Sequence, residues 1–312
     1  MRHAKIIIFA LLLCHCRTAG TASDVKLVGG QVAAADEFPA TFIWTTESAT
    51  LTQSYCTGSK VAPSWILTAA HCVLSQSPLP GETYIGPWRK TGDYTAGNQL
   101  RLSFSRTLDA DHREELVTVM ELVLPPTVES CVANPDRDRR LCQYREPIPD
   151  VALIRISPRP GSVFASTTPA NIDTSEIGPG EKIFMMGYGS EEESYRGPPR
   201  LKYAAATVST QTELEAALQN TYASDDGLPD WNFFFGVASP LDDPKHKNLG
   251  FGDSGGPVYR QSTGAIVGVN SDGFCPIGNR NCSSTTNSTF AKLDDRGSHG
   301  VGRWLRSVLR ER

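Results

Sequence analysis

Apolar and polar positions along this chain change over in short bursts rather than in the long stripes of helices. Runs rich in β-branched, leucine and aromatic residues recur at 40–44, 65–68, 100–104, 116–124, 151–156, 182–186 and 265–269, punctuated by Gly, Pro, Asn or Asp. Short strands bounded by turn residues predict an all-β sandwich or barrel. Two segments break the pattern. Residues 212–219, TELEAALQ, open with Thr and Glu in the manner of a capping box and predict a short helix. Residues 302–312 set Trp304, Leu305, Val308 and Leu309 on one face with arginines opposite. That pattern predicts a terminal amphipathic helix with a solvated basic side.

The N-terminus has a different pattern. Arg2, His3 and Lys5 precede an apolar run over 6–13, and Ala19, Gly20, Thr21 and Ala22 follow. A basic head, a short apolar stretch and a small-residue exit predict a secretory signal peptide over residues 1–22. The run is too short for a membrane span of ~20 apolar residues. With no second such segment, the mature protein is expected to be soluble and secreted, extracellular or periplasmic. The 312 residues allow one large or two small domains. A net charge of −4 with 21% charged residues excludes an acidic disordered tail and argues against a nucleic-acid binder.

The chain has eight cysteines. Cys14 and Cys16 end the apolar run and are expected to leave with the signal, so Cys56, Cys72, Cys131, Cys142, Cys275 and Cys282 remain. An even number in an oxidising compartment predicts disulfides. Closeness in sequence favours 56–72, 131–142 and 275–282. Zinc is the rival use, but no CxxC pair or Cys/His cluster has ligand spacing. No metal or cofactor is expected.

Three segments carry candidate chemistry. Leu67-Thr68-Ala69-Ala70-His71-Cys72 places a histidine after a β-run. Asp150 opens the nearly all-apolar stretch Val151-Ala152-Leu153-Ile154-Arg155-Ile156. Gly252-Asp253-Ser254-Gly255-Gly256-Pro257 sets a serine in a glycine-rich turn. A serine hydroxyl is a poor nucleophile until a neighbouring imidazole takes its proton. The imidazole in turn needs a carboxylate to fix its tautomer and stabilise the imidazolium. Glycines beside the serine let backbone N–H groups approach a developing oxyanion.

With these pieces in the order His, Asp, Ser, the chain resembles the trypsin/chymotrypsin-like serine endopeptidases. Further matches are Lys26-Leu27-Val28-Gly29-Gly30, Gly187-Tyr188-Gly189 and the terminal helix. The resemblance implies two six-stranded antiparallel barrels with the site between them. It makes His71 the general base, Asp150 its orienting partner and Ser254 the acylated nucleophile, with oxyanion N–H groups from Gly252 and Ser254. It also implies a zymogen. Cleavage after Lys26 would remove a short propeptide, residues 23–26, and free the Leu27 amine to pair with Asp253. The peptidase domain would then span 27–312.

Several positions depart from the family pattern. Gly250 stands where the family often has a cysteine, and Cys275 with Cys282 reads as a local clip in a pocket loop. Cys131 and Cys142 lie in an insertion expected to overhang the cleft. Asn248, six residues before Ser254, resembles the floor of the primary specificity pocket; being neutral, it tilts specificity away from basic residues. Ser271 is expected to bind substrate backbone and Gly273 and Ser288 to line the pocket; Asp272 would restore some negative charge there if it points inward, with a solvated turn residue the favoured reading. Release after Lys26 then calls for another protease. The expected partners are polypeptide substrates, that activating protease and protein inhibitors. No nucleic acid, and no membrane after signal removal, is expected, and the protein is expected to be a monomer.

Two rival readings exist. Residues 252–256 also satisfy the GxSxG elbow of α/β-hydrolases, with Asp294, Asp295 and His299 following. That fold needs helices between its strands ahead of the elbow, and none are evident here. A binding module that has lost catalysis would be expected to lack a triad member, and all three are present. Asn281 and Asn287 begin glycosylation sequons.

Overall fold

In the computed structural model, the described residues are 27, 30–47, 55–78, 85–108, 113–134, 142, 148–189, 198–218, 230–239, 247–274, 287–296 and 300–310. The first half contributes strands β1 (Gln31–Val32), β2 (Thr41–Thr46), β3 (Cys56–Ala62), β4 (Trp65–Thr68), β5 (Leu74–Pro78), β6 (Ile85–Lys90), β7 (Gln99–Ser103), β8 (Glu115–Val123) and β9 (Ala152–Ser157). The second half contributes β10 (Lys182–Gly187), β11 (Lys202–Thr207), β12 (Phe234–Ala238), β13 (Pro257–Arg260), β14 (Ala265–Phe274) and β15 (Asn287–Lys292). Helices are α1 (Pro126–Ala133), α2 (Val163–Ser166), α3 (Gln211–Leu218) and α4 (Val301–Arg310).

Strands β2-β3-β4-β9-β8-β7 close into an antiparallel six-stranded barrel, and β5 with β6 forms a separate hairpin. The second half is a seven-stranded sheet in the order β1-β11-β10-β13-β14-β15-β12. It holds the six strands expected of a second barrel plus β1, which pairs with the edge of β11. Its two ends meet outside the ladder: Ser209 N–H donates to the Gly236 carbonyl at 2.9 Å, and Ala238 N–H to Ser209 Oγ at 3.0 Å. The chain therefore has the two-barrel arrangement of the trypsin/chymotrypsin-like fold.

Side-chain alternation along the strands creates one core inside the first barrel and another between the two halves. Ile66 and Ile154 point into the first barrel with Phe42, Trp44 and Val119. Their neighbours Trp65, Leu67, Val151 and Leu153 point the other way, against Met186, Tyr259 and Val269 of the second half. Residues 151–154 are continuously apolar because both faces of β9 are buried. Trp304 and Leu305 of α4 close the same inter-barrel core, with Val308 and Leu309 packed on its margin, as the stripe along the helix predicted.

The capping box of α3 lies two residues earlier than the sequence reading placed it. Thr210 Oγ1 accepts from Glu213 N–H at 3.2 Å, while Glu213 Oε2 accepts from Thr210 N–H at 2.8 Å. Each half also buries a cation. Lys60 donates to the carbonyls of Phe164, Ala165 and Thr167 at the C-terminal end of α2, and its burial lowers the ammonium pKa. Arg260 bridges Asp173 and Glu181 in the second half.

Candidate active site

β4 and β9 are antiparallel neighbours, with Thr68 opposite Ala152. The end of one strand therefore adjoins the start of the other. His71, three residues past Thr68, and Asp150, two before Ala152, arrive at the same place although 79 residues separate them. His71 sits on a 3-10 turn, Ala70–Cys72. The turn is pinned by the Cys56–Cys72 disulfide, with a Cα–Cα distance of 6.3 Å, and by Tyr94 Oη donating to the Cys72 carbonyl at 2.9 Å.

Asp150 grips the histidine twice. Its Oδ2 lies 2.7 Å from His71 Nδ1, and its Oδ1 accepts the His71 backbone N–H at 2.9 Å. The carboxylate is 0% exposed, while the imidazole keeps 19% of its surface open. Asp150 beside Nδ1 favours the tautomer with the proton there, which leaves Nε2 as the acceptor. Ser271 Oγ also donates to Asp150 Oδ2, at 2.5 Å. Ser271 was expected to bind substrate backbone, and its side chain in addition supports the acid. The backbone of 271–273 lies past the end of β13, which stops opposite Val269, and pairs with β15 from Asp272 onward.

The serine turn is built by backbone geometry that side chains elsewhere maintain. Gly252 and Gly255 have φ of 91° and 79°, a region that strains other residues. Gly255 also packs tightly on the histidine loop, where a Cβ would lie 2.1 Å from Thr68 Oγ1 and 3.1 Å from Ala69 N. Thr57 N–H donates to the Ser254 carbonyl at 2.8 Å, and Thr57 Oγ1 to the Gly252 carbonyl at 2.8 Å. The same Oγ1 accepts from Tyr188 N–H at 3.1 Å.

Asp253 is fully buried. Its Oδ1 accepts from Gly189 N–H and its Oδ2 from Gly250 N–H, each at 2.8 Å. Burial first, and the Asp253 charge second, push the nearby Tyr55 phenol well above its ordinary range, so it stays neutral. Leu27 is also fully buried, in a cluster with Met185, Phe290 and Leu249, the residue before Gly250.

The residues expected to form the specificity pocket also gather. Asn248 is fully buried, and Ser288 Oγ donates to its Oδ1 at 3.3 Å. Ser288 Oγ also accepts from Leu249 N–H at 2.9 Å, and Gly273 sits opposite Ser288 in the ladder. Asp272 is not a solvated turn residue. It is half-buried in β14 opposite Thr289, and its Oδ1 accepts from Gly273 N–H at 2.8 Å.

Three residues bordering the serine turn were not foreseen from sequence: Tyr55, Thr57 and Phe251. Phe251 is 51% exposed beside Gly252, and its signal was a large aromatic flanked by glycines. Thr57 had only its place next to a disulfide cysteine.

Cys131 and Cys142 are bonded, at 2.08 Å, which ties α1 to residue 142. Cys275, Cys282, His299 and the Asn281 sequon lie outside the described residues. Asn287 is fully buried in β15, so its sequon presents no accessible amide. Asp294 and Asp295 serve α4 instead of a hydrolase triad. The Asp294 carbonyl accepts from Gly302 N–H, and Asp295 pairs with Arg306. Among the described residues no group of three or more His, Cys, Asp or Glu is placed to hold a metal. Among them, too, no helix is long and apolar enough to cross a membrane.

The family described as trypsin-like peptidase domain matches residues 56–269, more than half of the chain. Phenoloxidase-activating factor 3 of Holotrichia diomphalia is 25% identical over 250 residues, covering 79% of this chain and 63% of that protein. CLIP domain-containing serine protease B8 of Anopheles gambiae is 24% identical over 249 residues, covering 75% of this chain and 55% of that protein. The chain thus spans less than two thirds of the length of these relatives.

Proposed function

Because the chain belongs to the trypsin-like peptidase family, we propose that it is a secreted serine endopeptidase acting through His71, Asp150 and Ser254. The observation that carries this reading is the double grip of the buried Asp150 on His71, at 2.7 and 2.9 Å. An aspartate that holds both the ring and the backbone of one histidine prepares a base, and the turn bearing Ser254 abuts that histidine's loop.

In this mechanism His71 Nε2 takes the Ser254 Oγ proton as the oxygen attacks the scissile carbonyl carbon. The carbonyl π-pair moves onto oxygen, where the N–H groups of Gly252 and Ser254 receive the charge. Asp150 stabilises the imidazolium and remains ionised. Collapse of the intermediate breaks the C–N bond, and the imidazolium gives its proton to the leaving amine. The resulting acyl ester at Ser254 Oγ is hydrolysed by a water that His71 deprotonates in the same way.

Substrates are polypeptides, with cleavage tilted away from basic residues, because Asn248 at the expected pocket floor is neutral and pairs with Ser288. Activation follows cleavage after Lys26 by another protease, the freed Leu27 amine joining the buried Asp253. The signal-like residues 1–22 support secretion, and the relatives named as a serine protease and an activating factor support protein substrates.

The test is covalent labelling by a fluorophosphonate probe after cleavage at Lys26. Labelling at Ser254 that disappears in both Ser254→Ala and His71→Ala is expected; labelling that survives His71→Ala would sink the triad. Protein beginning at Ser23 that matches the activity of protein beginning at Leu27 would overturn the zymogen step alone.

A further inference from the structure

The turn that carries Ser254 rests on a residue the chemistry above does not use. Asn270 of β14 is fully buried. Its Nδ2 donates to the Asp253 carbonyl at 3.0 Å and to the Met186 carbonyl at 2.8 Å. Its backbone adds two bonds to the same turn: Gly255 N–H donates to the Asn270 carbonyl at 2.9 Å, and Asn270 N–H to the Gly256 carbonyl at 2.8 Å. Two carbonyl acceptors facing the carboxamide fix which end is nitrogen. The other end, Oδ1, is buried with no hydrogen-bond partner among the described residues. A buried orphan acceptor is unfavourable and uncommon. Packing alone therefore gives no reason for asparagine here, since valine would fill a strand position without an orphan.

The donor end supplies that reason. The Asp253 carbonyl and the Ser254 N–H belong to one planar peptide and point in opposite directions. Whatever holds that carbonyl aims that N–H. Gly256 N–H, at 2.9 Å, and Asn270 Nδ2 hold it together. The next residue on the strand, Ser271, holds Asp150. We propose that Asn270 is a positioning residue, whose carboxamide fixes the direction of the Ser254 N–H toward the oxyanion. Together Asn270 and Ser271 keep the nucleophile turn and the His71–Asp150 pair in one register. This inference rests on the endopeptidase reading above.

The experiment compares wild type, Asn270→Val and Asn270→Thr, each as the full chain secreted and cleaved after Lys26. Valine and threonine share a shape, and only threonine keeps a donor. The measurements are kcat and KM on a peptide amide, the affinity of a matched peptidyl boronate, the fluorophosphonate labelling rate and the unfolding midpoint. Asn270→Val is expected to lower kcat roughly 10-fold, less than outright loss of an oxyanion donor, with KM nearly unchanged. Boronate affinity is expected to fall by about the same factor, and Asn270→Thr to recover part of the loss. Wild-type kcat and boronate affinity in Asn270→Val would overturn the proposal. So would equal losses in both variants that track the unfolding midpoint.

If Asn270→Val does not fold, Asn270→Thr decides. A fall in boronate affinity larger than the change in KM supports the proposal, and unchanged affinity overturns it. Wild-type protein that the probe does not label at Ser254 removes the endopeptidase reading and this inference with it. Labelled wild type with equal rates in Asn270→Val removes the inference alone.

Discussion

The two halves of the molecule hold their functional groups by different means. In the first, a closed ladder brings His71 and Asp150 together at the end of β4 and β9. In the second, the ladder is open, and the turn around Ser254 is held by side chains as well as by backbone bonds, the side chains being Asp253, Thr57, Asn270 and Ser288. A strand ladder forms cooperatively from many backbone bonds and tolerates changes of side chain. A turn held in part by four side chains depends on each of them. The first half is therefore a fixed mount for base and acid. The second holds the Ser254 turn through individual side chains, which would suit the proposed activation step through Asp253.

The comparison breaks hardest where the halves must act together. Ser254→Ala or His71→Ala is expected to lower kcat on a peptide amide by roughly a million-fold, and the double variant no further. Asp150→Asn is expected to cost roughly 10⁴-fold. A double variant well below either single would mean that the two residues do not work as one unit. Next is the Ser254 turn. Asp253→Asn removes charge from the group holding Gly189 and Gly250, and kcat is expected to fall roughly 10²- to 10³-fold, as for a lost oxyanion donor. Amide hydrogen exchange in β4 and β9 should stay as in wild type; faster exchange there would mean that the halves are not independent supports.

Two smaller effects separate the halves by stability. Lys60→Met leaves three carbonyls at the end of α2 without their donor and is expected to lower unfolding free energy by about 1–3 kcal/mol. Urea unfolding measures this, and kcat should be unchanged, because the first half's mount is the whole ladder. In the second half, burial raises the Asp173 pKa, but hydrogen bonds from Ser175 and the charge of Arg260 outweigh it and hold the carboxyl below its ordinary 3.8. A depressed folded pKa stabilises above the unfolded value, and that contribution fades as pH falls through the folded one. The stability gap between wild type and Asp173→Asn should therefore be full at neutral pH and shrink below about pH 4. A gap independent of pH would remove the ion pair as its source.

The sequence showed some parts of this plainly. The runs at 65–68, 151–156 and 182–186 became β4, β9 and β10 because their apolar content came from burial on one or both faces. The stripe of Trp304, Leu305, Val308 and Leu309 became α4 for the same reason. Strands β1, β3, β5, β6, β11, β12, β13 and β15 were passed over. Lys60, buried on the carbonyls of α2, and Asn287, buried in β15, read as solvent-facing when only residue type is seen. Helix α1 was likewise hidden in a stretch read as an insertion. The segments carrying His71, Asp150 and Ser254 stood out because their motifs are local, and the fold brings the His71 and Asp150 side chains together. The bond from Ser271 to Asp150 was not legible, because nothing local links it to an aspartate 121 positions away.

By itself, then, the sequence determined the strand-rich character of the chain, its family resemblance, two disulfides that the structure contains and the chemical groups of the site. These follow from residue type and short-range spacing, which are fixed before folding. Only the tertiary structure decided which carbonyl each buried donor reaches. Thr57 crosses from one half to Gly252, Asn270 holds Asp253, Ser271 turns to Asp150, and the Asn287 sequon is sealed inside a strand. Such contacts depend on strand register and on the meeting of two barrels, and both are set by packing over the whole chain.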